Sequence, residues 1–268
     1  MMDSFSEYLF QKYSEVTLDN PNHFKTIIIQ KVVRMFHTFN SLVKESQDEV
    51  SIRCVLRGLL DNVIVYSFIY EREDEEDVLF RHYLYALDGF ESYKKHVIVL
   101  LEKGNNTITN DSVCDEIIYQ IERKLYSHPY MNLNKKVIEN IINNNNWKYE
   151  SIKHPKSLSY LDMYIHVGFE GKLANYYQCY SSQFSHGLCI SNHLCVDNEM
   201  MKMVLFESIP IEDRMVRAIL NTFPKNELTI HFLSSKQHTE LLNDPNIDYD
   251  EIIEFVNAIV KGDRELII

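Results

Sequence analysis

SIRCVLRGLLDNVIVYSFIYEREDEEDVLFRHYLYALDGF, residues 51–90, reads as two helices joined by an acidic turn. Ile52 to Tyr70 is apolar over a helical length and belongs at the centre of a helical assembly. Glu71–Asp77 (EREDEED) serves equally as a solvated turn or a helix start, because acidic residues are favoured in a first turn. Val78 to about Leu101 continues as helix, ended by Lys103-Gly104-Asn105-Asn106 with a glycine in a C-cap-like place. Within these apolar helices stand ionisable residues where a core face should be bare. Residues four apart share a helical face, so Arg53, Arg57 and Asp61 line up on the first helix. Arg81, Tyr85 and Asp88 do so on the second, with His82 about 100° away from Arg81.

The same pattern extends outward in both directions. Residues 4–16 suit a short amphipathic helix with Phe5, Leu9, Phe10 and Tyr13 together. Asn20 is placed to cap the next helix, with Pro21 at its first position. That helix runs to about Glu45 and carries Ile28, Val32, Met35, Phe36, Phe39, Leu42 and Val43 at core spacing. Asn110 or Asp111 opens a helix bearing Val113, Ile117, Ile118, Ile121 and Leu125, which Pro129 stops. Lys135–Ile142 is a short helix, Asn143–Asn146 a loop, and Trp147 a plug for the core. Leu158 to about Val167 is helical, Gly168 and Gly171 make a corner, and Leu173 to about Ile190 is a second polar-cored helix. There Ser182, Ser185 and His186 share a face. Helices at about 197–208, 212–223 and 249–260 follow, separated by turns at Pro210, Pro224 and Pro245. Leu228–Leu233 has strand character but no partner strand.

Composition agrees with an all-α fold, an antiparallel multi-helix bundle with a smaller helical C-terminal part. The chain has 7 Gly and 6 Pro in 268 residues, where average usage gives roughly 19 and 13. Turn-rich β architectures and phosphate-cradling loops both consume glycine. No repeat or linker divides residues 1–268, so one domain is expected, with a C-terminal helical subdomain at 192–268 as the alternative. A net charge of −12 weighs against broad nucleic-acid binding, which needs an electropositive surface. The five cysteines form no C-x-x-C pair and are odd in number, which fits reduced thiols in a cytoplasmic protein. No signal peptide or transmembrane run is present, so no membrane partner is expected.

Three helices thus bring polar groups toward an apolar interior. An arginine buried without a partner is prohibitive, so Arg53, Arg57 and Arg81 require carboxylates, carbonyls or an anion. Asp61 and Asp88 are the natural internal partners. If all charges pair, the cluster is a buttress that fixes helix register. If an arginine is left over, it is an anion site, since the guanidinium fork matches phosphate or carboxylate. Gly58, Gly89 and Gly187 beside these groups point to close helix approach.

The segments R-x-x-x-R-x-x-x-D at 53–61, RHYLYALDG at 81–89 and YSSQFSHG at 180–187 resemble an uncharacterised all-helical bacterial family. The match covers roughly residues 50–190. The resemblance implies a helical fold and a shared polar centre that includes Tyr180, Ser185 and His186; it implies no activity.

Function is open among three readings. The first is a regulatory or defence-associated protein that binds a small anionic ligand through Arg53, Arg57 and Arg81. The second is a metal-independent nuclease with His82 or His186 as general acid/base. The third is a non-enzymatic interaction module, binding a protein partner or a second copy, whose polar residues only lock the core. Walker A, G-x-G-x-x-G, G-x-S-x-G and H-E-x-x-H motifs are all missing, and neither metal nor cofactor is expected; a metal held by His82, His186 and Asp88 is a weak alternative. Arg123 and His128 match the Arg-to-His spacing of helical HEPN-type ribonucleases. With nine arginines and 11 histidines, about one such match arises by chance, and plain helix termination before Pro129 accounts for it.

Overall fold

The computed structural model describes residues 2–15, 17–46, 48–98, 111–185 and 198–223. These form nine α-helices: α1 (Met2–Lys12), α2 (Pro21–Ser41), α3 (Glu49–Tyr70), α4 (Glu75–Tyr93), α5 (Asp111–Ser127), α6 (Lys135–Asn143), α7 (Tyr160–His166), α8 (Gly171–Ser185) and α9 (Asn198–Thr222). Single π-turns at Leu42–Ser46 and Lys94–Ile98 extend α2 and α4, and a 3-10 turn, Pro129–Asn132, follows α5. The described residues contain no strand, only an isolated antiparallel bridge between Tyr149 and Ser157. The fold is all-α.

α3 is the helix the others share. It packs against α2, α4, α7, α8 and α9, and every residue from Val63 to Tyr70 is buried. A helical stretch that is apolar on nearly every side, as 63–70 is, has no face to give to water and must be enclosed. One connected apolar core then draws on all nine helices, from Phe5 and Leu9 through Ile29, Leu60 and Leu84 to Ile121, Ile138, Met163, Ala174 and Ile219. No helix among the described residues is long and apolar enough to cross a membrane.

The helix ends follow local chemistry. Asp48 opens α3, three residues earlier than the apolar pattern indicates, by accepting the Ser51 amide at 3.4 Å. The acidic run serves both roles: Glu71 closes α3, while Asp74 accepts the Glu76 amide at 3.0 Å and Glu75, Glu76 and Asp77 fill the first turn of α4. Asp74 and the turn acids thereby meet the positive end of the helix dipole. A capping box starts α7. The Ser159 hydroxyl accepts the Asp162 amide at 3.1 Å, and the Asp162 carboxylate accepts the Ser159 amide at 3.0 Å. Gly168 turns the corner into α8 at φ 101, a conformation that disfavours any side chain.

Several sequence expectations need correction. Asn20 precedes Pro21 as expected but does not cap α2; its side-chain amide donates to the Glu15 carbonyl at 3.1 Å. Pro210 makes no turn, because α9 runs through it. The proline forfeits one backbone hydrogen bond, yet Val204, Ile211, Met215, Ala218 and Ile219 are all buried on the same helix, and that burial outweighs the lost bond. Close approach holds at Gly58, where an added Cβ would lie 2.6 Å from the Met35 methyl, but not at Gly89, which has nothing within 4 Å. Gly187, Leu228–Leu233, the helix at 249–260 and most of 192–268 lie outside the described residues.

Candidate functional site

Arg81 is fully enclosed, with 0% exposure. Its partner is Asp77, one turn earlier on α4, at 2.9 Å from Nε, and not Asp88. Nη1 donates to the carbonyls of Trp147 (3.2 Å) and Tyr149 (2.6 Å), and Nη2 to that of Glu150 (3.2 Å). The Tyr149 ring lies 3.7 Å from the guanidinium carbon, and the Tyr149 hydroxyl donates to Asp77. These carbonyls belong to a loop folded back on itself, with Glu150 N bonded to Lys156 O and Leu158 N to Lys148 O, each at 2.9 Å. Backbone that turns inward without helix or sheet needs a donor, and Arg81 supplies it.

Arg53 is equally enclosed but ties different elements. Nε donates to Glu49 at 2.6 Å, one turn earlier, and Nη1 to both oxygens of Glu207 on α9 at 2.9 and 2.6 Å. Tyr176 donates to the Glu207 carboxylate at 2.5 Å and Tyr177 to its carbonyl at 2.6 Å. Tyr180 and Phe184 hold the guanidinium at 4.9 and 4.8 Å. Burial pulls the Arg53 pKa down, but the hydrogen bonds to Glu207 and Glu49 outweigh it and the net shift is upward. Two carboxylates on one cation lock α3, α8 and α9 together.

Arg57 is half-buried. It donates to Asp61 (3.1 Å), as the sequence indicates, to the Tyr177 carbonyl (3.0 Å) and to Gln178 (3.3 Å). Tyr164 donates to the other Asp61 oxygen at 2.9 Å. The three arginines thus occupy three networks with no acceptor in common, and a single polar centre is not what the helices assemble.

Asp88 accepts the Trp147 indole N–H at 3.2 Å, and Trp147 is the buried plug that its position indicates. His82 is wholly buried. It shares a 3.1 Å hydrogen bond between Nδ1 and the Tyr70 hydroxyl and has the Phe24 ring edge-on at 4.5 Å. Burial, the dominant cause, lowers its pKa to about 4, so it is a neutral core residue at pH 7, closed to substrate. Ser185 ends α8, and His186 lies outside the described residues. Arg123 is exposed on α5, whereas His128 is buried just past its end, caps the Pro129 turn and sits 3.3 Å from Glu76. The pair forms no joint site. Among the described residues no three His, Cys, Asp or Glu side chains are grouped to hold a metal ion.

Sequence reasoning missed Arg72. Just past the last residue of α3, its guanidinium lies 4.7 Å from the Phe68 ring centre, and Arg81 lies 4.8 Å from the same ring. His166, exposed at the end of α7, stands edge-on to that ring at 5.4 Å. Arg72 Nε donates to the Phe68 carbonyl at 3.0 Å, and Asp77, already engaged by Arg81 and Tyr149, is 3.9 Å away. Nη2 is enclosed without a hydrogen-bond partner. Burial and then the charge of Arg81 lower the Arg72 pKa to about 10, and burial followed by Arg72 and Arg81 lowers that of His166. The arginine left over is therefore one that lay in the acidic run EREDEED, where it reads as part of a solvated turn.

A scan against protein-family models, a search of curated proteins and a search of solved structures each find no match to this chain.

Proposed function

We propose that the chain is a cytoplasmic, non-enzymatic interaction module of the bacterial family it resembles, acting on a protein partner. In this reading Arg53, Arg57 and Arg81 lock helices and a loop in place and meet no ligand. The observation that carries it is the pairing of these three guanidinium groups with Glu49, Glu207, Asp61, Asp77 and backbone carbonyls, with Nη2 of Arg53 alone among their enclosed donors left without an acceptor. Breaking a buried pair leaves an uncompensated charge and destabilises strongly, so such residues belong to the scaffold. The burial of His82 removes one of the two general acid/base candidates from contact with any substrate. An acidic chain of net charge −12 selects against nucleic acid and toward a basic or neutral protein surface.

The test joins folding to activity. Arg53→Ala and Arg81→Ala are expected to lose most of their thermal stability, and the wild-type protein to leave labelled RNA intact in the presence of a chelator. RNA cleavage that disappears in a folded His186→Ala variant would overturn the proposal in favour of a metal-independent nuclease.

A further inference from the structure

We propose that Arg72 and His166, set against the Phe68 ring, form a binding site for a small phosphate-type oxyanion. It lies apart from Arg53, Arg57 and Arg81, which are each paired with a carboxylate, and stands independently of the interaction reading. The argument starts from unused donors. A guanidinium carries five N–H bonds, and Arg72 spends one of them, on the Phe68 carbonyl. Nη2 is enclosed with no acceptor, while Nη1, likewise without a bond, reaches solvent on a side chain that is 17% exposed.

The nearby carboxylates are taken. Asp77 receives Arg81 and the Tyr149 hydroxyl. Glu71, the residue before Arg72, receives Arg214 and Asn221. Arg214 is further fixed by donating to the Val167 carbonyl at 2.6 Å, one residue past His166. Glu150 is exposed and close enough to act on His166, and it forms no ion pair with Arg72. This leaves one cation short of an anion beside an imidazole that is free to donate.

The geometry favours a tetrahedral anion. A carboxylate would use the N–H groups of Arg72 Nη1 alone. A phosphate seated at the solvent-reaching Nη1 has a further oxygen to offer to His166, which stands against the same Phe68 ring. Glu150 is the repelling neighbour and limits affinity.

The experiment is a titration with inorganic phosphate, followed by 31P line broadening and by the thermal unfolding midpoint, with a phosphomonoester (glycerol phosphate) and acetate in parallel. Saturable phosphate binding is expected in the wild type. Arg72→Gln and His166→Gln should each weaken it about tenfold or more, as loss of a charge-assisted contact does, with the fold retained. Arg72→Lys should restore it only in part, because an ammonium lacks the fork, and Glu150→Gln should tighten it. Glycerol phosphate binding more tightly than inorganic phosphate would identify the natural anion as an ester; the reverse order would identify the free ion. No saturable binding, binding unchanged in Arg72→Gln, or acetate equal to phosphate would each overturn the proposal.

Discussion

Two guanidinium groups lean on the Phe68 ring at almost the same distance, 4.8 Å for Arg81 and 4.7 Å for Arg72, and they differ in everything else. Arg81 makes four hydrogen bonds, to Asp77 and three carbonyls. Arg72 makes one. The contrast separates a charge the fold consumes from a charge the fold merely tolerates. Arg81 is also the more deeply buried, with 1% side-chain exposure against 17%, but the sharper difference is the count of satisfied donors.

The largest expected effect follows from the saturated side. Arg81→Ala removes the donor for the 147–150 carbonyls and leaves Asp77 without its close cation. Breaking a buried pair of this kind costs about 3–5 kcal/mol, to be read from denaturant unfolding. Arg81→Lys should recover little, since a point ammonium cannot reach acceptors spread around a planar fork. A loss below about 1 kcal/mol would erase the distinction between the two arginines.

His82, the next residue along, tests whether burial matters without saturation by charge. Its folded pKa is lowered to about 4 by burial, against about 6.5 when unfolded. As pH falls below 6.5 the unfolded chain takes up a proton that the folded chain refuses. Stability is therefore intact above pH 6.5 and is lost progressively from there down to about 4. The loss reaches about 3 kcal/mol for a shift of this size. Denaturation midpoints measured across that range in the wild type and in His82→Gln check it; the variant should lack this part of the acid dependence.

Arg57 occupies middle ground. It has three acceptors, but Asp61 is one-third exposed (33%), so water competes for the pair. Arg57→Ala should cost about 1–2 kcal/mol, less than Arg81→Ala measured in the same way.

How far the sequence exposes this arrangement can be seen residue by residue. The helical identity of 52–70 was legible because a largely apolar run of that length, interrupted at helical spacing by Arg53, Arg57 and Asp61, has few alternatives. Arg57 with Asp61 was legible from i,i+4 spacing. Glu49 with Arg53 and Asp77 with Arg81 have that same spacing, read toward the N-terminus with acid before base, which is the better orientation on a helix. The same rule reaches them, whereas of the two expected partners Asp61 pairs with Arg57 and Asp88 accepts the Trp147 indole. Glu207 was not available: it lies 154 residues from Arg53, and no local rule links them. The carbonyls that receive Arg81 carry no side-chain signature at all. Pro210 misled because a proline normally ends a helix, and only tertiary burial of α9 shows otherwise.

The smallest effect is the most discriminating. Arg72→Gln removes one hydrogen bond, a favourable cation at the negative end of α3 and stacking on Phe68, each worth about 0.3–1 kcal/mol. It also removes a desolvated charge whose pKa is lowered to about 10 and an enclosed Nη2 with no acceptor. These opposing contributions are similar in size, so the net change should stay within about 1 kcal/mol. Unfolding of Arg72→Gln beside Arg81→Ala decides the matter. If Arg72 costs as much as Arg81, it is a third lock on Asp77 and its spare donors are incidental. If it is nearly silent, the fold retains there a cation that it does not need for stability.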